Sequence, residues 1–360
     1  MKAENTVNSA KMRPLVLFLF SVMVAVALIA GLWPFEFAPE NGARLKGTGL
    51  EFTSRGMSNA CAGRPLFPSG ELTVELAAVP GERPMDRTGV LLSFYDSAGK
   101  PVLSVTQWSD SVMISSGENI RAGVRSALAI NRNAVVAVSA GKKGIRLFVD
   151  GKASGGSSKP FYGLEKAACF TLGNSPVGKQ PWKGGLHRLA LWTRALSDDE
   201  ARRSFEAASA GTKPAIEGLA GFYVFEGRGR LVRNAVSGEL DISVPERFNP
   251  VKKVFLGPLF EDGGRFRLDA VDAAVNFIGF MPLGLLAFFL RSPGARDAAK
   301  LFFALSAGFA LSFSIEAAQV FMPDRFSQLS DLLLNATGAF AGALIAMSLR
   351  KIKALRRLIA

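Results

Sequence analysis

The chain has 360 residues, 49% of them apolar, with two cysteines, one histidine and a formal net charge of +13 at pH 7. Length allows two or three domains, and a single histidine with two cysteines outside any CxxC spacing excludes the common zinc arrangements. Much of the basicity borders apolar segments rather than forming a groove-sized patch, which argues against nucleic acid as a partner.

Residues 1–14 form a tail in which Lys2, Lys11 and Arg13 oppose Glu4. An apolar run, 15–33, follows and has the length of a membrane-spanning helix, about 20 residues. Two readings of it compete. Small residues from Ala27 to Gly31 suit a cleaved signal peptide, whereas the long run and its closing Trp33 suit a retained anchor, the expectation adopted here.

Residues 45–245 have ordinary soluble composition and read as many short strands. Alternation appears in Leu72–Leu76, Val102–Val105 and Ile145–Val149. Gly, Asn, Ser and Asp punctuate these runs, as in Gly81-Glu82-Arg83-Pro84 and Ser97-Ala98-Gly99-Lys100. Asp150-Gly151 predicts a type I′ hairpin turn, whose two central residues need positive φ. The spacing predicts an all-β sandwich. Both cysteines, Cys61 and Cys169, lie here; they form a disulfide if this region is outside the cytoplasm, or two buried free thiols otherwise.

Asp96, Asp110 and Asp150 are too scattered for a calcium site, so no metal and no cofactor is expected. Trp108, Trp182 and Trp192 suit either the core or sugar stacking, and His187 a structural place in a strand. Ser197-Asp198-Asp199-Glu200 reads as a helix N-cap with acids in the first turn. No nucleophile motif, phosphate loop or glycosidase carboxylate pair is recognisable, so the sandwich is not read as an enzyme.

Three motifs in this region resemble one family. They are Phe170–Asn174 with Pro181–Trp192, then Arg194–Ala201 (RALSDDEA), and the hairpin Ile145–Lys152 (IRLFVDGK). With the closing strand Gly221–Glu226 (GFYVFE) they are similar to the laminin-G/concanavalin A-like jelly roll. That resemblance implies a lectin-like fold that binds glycans, binds proteins or acts as a spacer.

After a linker, 246–270, come three more apolar stretches: 271–290, 301–321 and 332–349. Arg291, Arg296 and Lys300 oppose Asp297 between the first two, and the tail 350–360 adds Arg350, Lys351, Lys353, Arg356 and Arg357. Four spans crossing in turn place all these basic segments on one side, the cytoplasmic one. The sandwich then lies outside, inserted between the first and second helices.

Polar residues interrupt the last three spans near their outer ends: Asp272 and Asn276, Glu316 and Gln319, and Asp331 and Asn335. Arg325 stands in the turn between the last two. A charge at mid-bilayer costs roughly 2.5–3.5 kcal/mol on insertion scales, so these residues are candidates for a binding site. Glu316 and Asp331 are the candidates for acid–base work, and Arg325 for holding a phosphate or carboxylate. The plainer alternative is interhelical glue, as expected for Gly338-x-x-x-Gly342.

Asn276–Gly284 (NFIGFMPLG), Ile315-Glu316-x-x-Gln319, Pro323-x-Arg325-x-x-Gln328 and Asp331-x-x-x-Asn335-x-x-Gly338 resemble the VanZ-like family, as does Trp33-Pro34-Phe35 after the first span. The resemblance implies a four-helix domain in a bacterial cell membrane. It departs from the family in placing a sandwich in the first outer loop. The expected role is accessory or binding rather than catalytic, toward an envelope glycan, a lipid-linked precursor or an envelope protein. Alternatives are a membrane enzyme acting on a glycolipid or lipid phosphate, and a structural anchor for the sandwich.

Overall fold

The computed structural model describes residues 2–82, 88–117, 119–259, 270–323 and 325–350. The basic tail from 351, Asp324, the turn residues Arg83 and Pro84, and 260–269 of the expected linker lie outside the described residues. The chain divides into two compact units: Ala38–Lys253, and Met1–Phe37 together with Val254–Ala360.

The first unit is an all-β sandwich of two eight-stranded antiparallel sheets among the described residues. One sheet runs in the order Ala43–Lys46, Gly49–Phe52, Gly184–Trp192, Leu72–Pro80, Ala134–Gly141, Gly144–Val149, Lys152–Ser157, with Leu219–Val224 also paired to Gly184–Trp192. The other runs from Leu231–Val232 through Ile242–Ser243, Ser58–Cys61, Cys169–Leu172, Thr88–Tyr95, Pro101–Trp108 and Ser111–Ser116 to Asn119–Ala127. Aliphatic side chains from both sheets, such as Leu76, Val138, Leu103 and Leu172, meet in one core. Through it runs a chain of edge-packed rings, Phe67–Phe94–Phe170–Tyr223. Trp182 and Trp192 are fully buried and belong to the packing, and Trp182 Nε1 donates to Gln107 Oε1 at 2.6 Å. Trp108 is half exposed beneath the Arg125 guanidinium.

Local chemistry explains several connections. Asp150 and Gly151 have φ of 50° and 73°, so Val149 pairs with Lys152 across a tight I′-type turn. Ser197 caps helix α2 (Asp198–Ser209) through a reciprocal box: Glu200 N–H donates to Ser197 Oγ, and Ser197 N–H to Glu200 Oε2. Hydrogen bonds from Arg194 and Ser197 hold the Glu200 carboxyl down at about 2. Cys61 and Cys169 face each other across paired strands and form a disulfide.

Beneath α2, on the outer face of the first sheet, Arg188 donates to Glu75 at 2.7 Å with both side chains buried. Burial outweighs this partner and raises the Glu75 carboxyl above its ordinary value. His187 bonds the Thr48 carbonyl at 2.7 Å, a structural place. Asp96 accepts from the backbone N–H groups of Ala98 and Lys100 and shapes its turn.

The second unit holds four helices long and apolar enough to cross a membrane. They are α1 (Lys2–Leu32), α3 (Ala270–Leu290), α4 (Asp297–Gln319) and α5 (Leu329–Leu349). Helix α1 continues through residues expected as a tail. Helices α4 and α5 begin a turn earlier than their apolar runs, because polar first turns carrying Asp297 and Asp331 suit the positive end of the helix dipole. Side chains of α1, including Phe20, Met23 and Ala27, pack against Phe280, Leu283, Ile315 and Ala339.

Helices α3 and α5 meet backbone to backbone. A Cβ on Gly338, Gly342 or Gly284 would stand within about 2 Å of the carbonyl oxygens of Phe277, Met281 and Ala339 respectively. Small residues permit this approach where lipid offers no hydrophobic drive.

The expected linker is not a free connector. Glu246 and Phe248 pair with Asn41 and Pro39 in the sandwich, and Gly257 pairs with Ser327 and Leu329 in the helical unit.

Candidate functional site

The polar residues gather where α4 turns into α5. Glu316, in the last turn of α4, is 2% exposed. Its Oε2 accepts the backbone N–H of Gln328, the N-cap of α5, at 2.8 Å, and the Ser327 hydroxyl is a second donor. Ser327 Oγ in turn accepts the Leu256 N–H at 3.0 Å. The segment before α3 therefore holds the turn that holds Glu316.

Asp331 sits in the first turn of α5 and accepts from Ser330 Oγ at 3.1 Å. The Asn276 side chain, from α3, is within hydrogen-bonding reach of it. The Asp272 carboxyl, one turn from Asn276, is close enough to act on Asp331 by charge, and Asp331 acts likewise on Glu316. Three helices thus bring Asp272, Asn276, Glu316 and Asp331 together. Their exposure grades from buried Glu316 through half-buried Asp331 and Asn276 to exposed Asp272, so the cluster opens at the helix ends.

The other expected members go elsewhere. Arg325 reaches the end of α1: its Nε and Nη2 donate to the Trp33 carbonyl at 3.2 and 2.6 Å, and Nη2 also reaches the Ala30 carbonyl at 3.4 Å. Gln319 Nε2 donates to the Gly31 carbonyl at 2.9 Å. The last turn of α1 leaves carbonyls without helical partners, and these two side chains satisfy them. Asn335 does not pair with Asp331; one turn deeper, its Nδ2 donates to Ser312 Oγ at 2.9 Å.

Ser327, which bonds Glu316, and Ser312, which holds Asn335 one turn deeper, were missed in reading the sequence. Ser312 stands four residues before Glu316 on the same helix face, a spacing that pointed to it. Ser327 lies in an irregular turn where no periodicity applies.

At the opposite ends of the same helices the chemistry is basic. Arg350 pairs with Asp297 at 2.8 Å, and Lys300 and Arg350 both lie over the Phe288 ring. Among the described residues no group of three or more His, Cys, Asp or Glu is arranged to hold a metal ion.

Residues 234–350 match the VanZ/LLP1 family model, and residues 55–202 match that of the concanavalin A-like lectin/glucanases superfamily. No curated protein matches the chain. Among solved structures, a candidate carbohydrate binding protein from Bacteroides ovatus is 17% identical over 58% of this chain and 62% of its own, with a TM-score of 0.42. Trypanosoma rangeli sialidase with 2,3-difluorosialic acid is 17% identical over 49% of this chain and 30% of its own, at 0.42. The binding domain of botulinum neurotoxin DC with rat synaptotagmin II is 10% identical over 47% and 45%, at 0.36. The chain spans less than two thirds of each of these structures. It is a membrane protein that joins a VanZ-like region to a concanavalin A-like jelly-roll domain.

Proposed function

We propose that this is a multi-pass protein of a bacterial cell (inner) membrane with a binding or accessory role. Both termini are cytoplasmic and the jelly roll lies outside, where it recognises an envelope glycan. The helical unit holds the polar headgroup of a lipid-linked molecule at the outer leaflet, among Asp272, Asn276, Glu316 and Asp331.

One observation carries the reading: the meeting of these four side chains at one end of the helices, with basic residues at the other end. Basic residues favour the cytoplasmic side, which puts the acidic end outward. The Cys61–Cys169 disulfide supports an oxidising compartment for the sandwich. The superfamily match supports a lectin-like role. Carboxylates at close quarters repel one another when ionised, and hydroxyl or ammonium donors on a headgroup relieve that repulsion. Arg325 is not counted among these four because its Nε and Nη2 donate to carbonyls at the end of α1.

Native mass spectrometry of the full chain, purified from membranes in mild detergent, tests this. A headgroup-bearing lipid should accompany the wild type and be lost from the Glu316→Gln/Asp331→Asn variant, while Thr337→Ala retains it. An unchanged lipid complement in a folded double variant refutes the site. Conversion of the bound lipid during incubation, abolished by Glu316→Gln, identifies the membrane-enzyme alternative.

A further inference from the structure

The free edge of the first sheet is closed at two points and open between them. At one end Asn41 N–H donates to the Glu246 carbonyl and Phe248 N–H to the Pro39 carbonyl, each at 2.9 Å. At the other, Gly227 N–H donates to the Gly47 carbonyl at 2.7 Å. Between these bridges the edge strand Ala43–Lys46 stands apart from the segments at 229–230 and 244–247, leaving a cleft of about 340 Å³. That lies at the small end of ligand-binding clefts, roughly 300–1,000 Å³.

Strand alternation decides what lines it. Ala43 and Leu45 turn into the core, so Arg44 and Lys46 turn outward together. Arg230 and Arg247 come from the facing wall, with Glu40 and Glu246 as the acidic lining. Positive side chains outnumber negative ones. Present partners hold them loosely: Arg44–Glu40 at 3.0 Å, Arg230–Glu246 at 2.8 Å and Lys46–Glu51 at 2.9 Å are all pairs with both side chains more than half exposed. Arg247 donates to the Ala38 carbonyl at 3.2 Å and lies near enough to act on Glu246 by charge. Exposed pairs of this kind contribute little and exchange readily. The apolar lining residues Leu45 and Val244 are buried, so the cleft recognises by charge and hydrogen bond rather than by apolar contact.

We propose that this cleft binds an anionic glycan, a short run of uronate- or sulfate-bearing sugar units whose acidic groups displace Glu40 and Glu246 from Arg44 and Arg230. Guanidinium groups suit such ligands because they pair bidentately with planar or tetrahedral oxyanions. A recess bounded at both ends by backbone bridges fits a flexible oligosaccharide better than a flat lipid surface. The inference rests on the reading of the jelly roll as a glycan-recognition domain.

The test uses the full chain in nanodiscs, titrated with an oligogalacturonate and with its carboxyl-reduced, neutral counterpart. The oligogalacturonate should bind, more weakly as salt rises, and the neutral sugar should not. Arg44→Glu/Lys46→Glu should lower affinity at least tenfold, and the milder Arg230→Ala severalfold. Lys142→Glu/Lys143→Glu, in an exposed turn that does not line the cleft, should leave it unchanged. Equal loss in the turn variant reduces the effect to general charge and overturns the proposal, as does equal competition by polyglutamate of the same charge. If the neutral sugar binds and the cleft variants keep it, glycan recognition stands and the cleft is not its site. If neither sugar binds, both readings fall.

Discussion

The Arg325 guanidinium lies against the end of α1, donating to the Trp33 carbonyl oxygen at 2.6 Å from Nη2 and 3.2 Å from Nε. A cation at a helix C-terminus meets the negative end of its dipole as well as its unpaired carbonyls. With Gln319 on Gly31, this contact docks α1 to the turn after α4. Arg325→Ala should therefore cost about 1.5–3 kcal/mol, the range for hydrogen bonds to a charged group. The expected readout is a lower Tm of the full chain in detergent, partly restored by Arg325→Lys. An unchanged Tm would place the stability of α1 in its apolar contacts alone.

The seam between α3 and α5 makes a sharper prediction. Gly338→Ala and Gly342→Ala each drive a methyl into a facing backbone carbonyl and should sharply reduce the yield of monodisperse protein on size exclusion. Gly279, on α3, has nothing within 4 Å of its would-be Cβ, so Gly279→Ala should be neutral or slightly stabilising. Equal tolerance at all three positions contradicts close helix contact.

In the sandwich, Arg188→Met strands the Glu75 carboxylate under α2 and should cost about 3–5 kcal/mol, most of it recovered when Glu75→Gln is added. The pH dependence has a definite sign. Burial raises the folded-state pKa of Glu75 above 4.5. The stabilisation from its protonated form is complete below 4.5 and is lost as pH rises through the folded value. The wild type should lose stability relative to Glu75→Gln over that interval, read from denaturant unfolding followed by tryptophan fluorescence. A constant difference would count against the buried carboxyl.

Joint replacement of Cys61 and Cys169 by serine should lower sandwich stability by about 2–5 kcal/mol, because the bridge joins positions 108 residues apart and restrains the unfolded chain. Reduction of the wild type should reproduce the shift; equal midpoints with and without reductant would refute it.

What the sequence disclosed was mostly local. The Asp150-Gly151 turn and the Ser197–Glu200 cap depend on neighbours within a few positions, and both are present. Apolar runs located the helices but misplaced the starts of α4 and α5, since a polar first turn adds nothing to an apolar count. Depth-matching drew Asp272, Asn276, Glu316 and Asp331 to one level. It could not assign Arg325, whose partner Trp33 lies 292 positions away. Nor could composition choose between thiols and a disulfide for two cysteines so far apart, or foresee a cleft whose walls come from both ends of the sandwich.

The glycine seam has a consequence for how the acidic cluster can change. Helices α3 and α5 are spaced by carbonyl-to-glycine contact at Gly284, Gly338 and Gly342, all deeper than Asn276 and Asp331. The distance between those two backbones is therefore fixed without help from the polar side chains above. Asp272, Asn276 and Asp331 can be exchanged for other residues while the frame beneath them keeps its dimensions. The side chains at this end of the helices can therefore vary one at a time without rebuilding the helical frame.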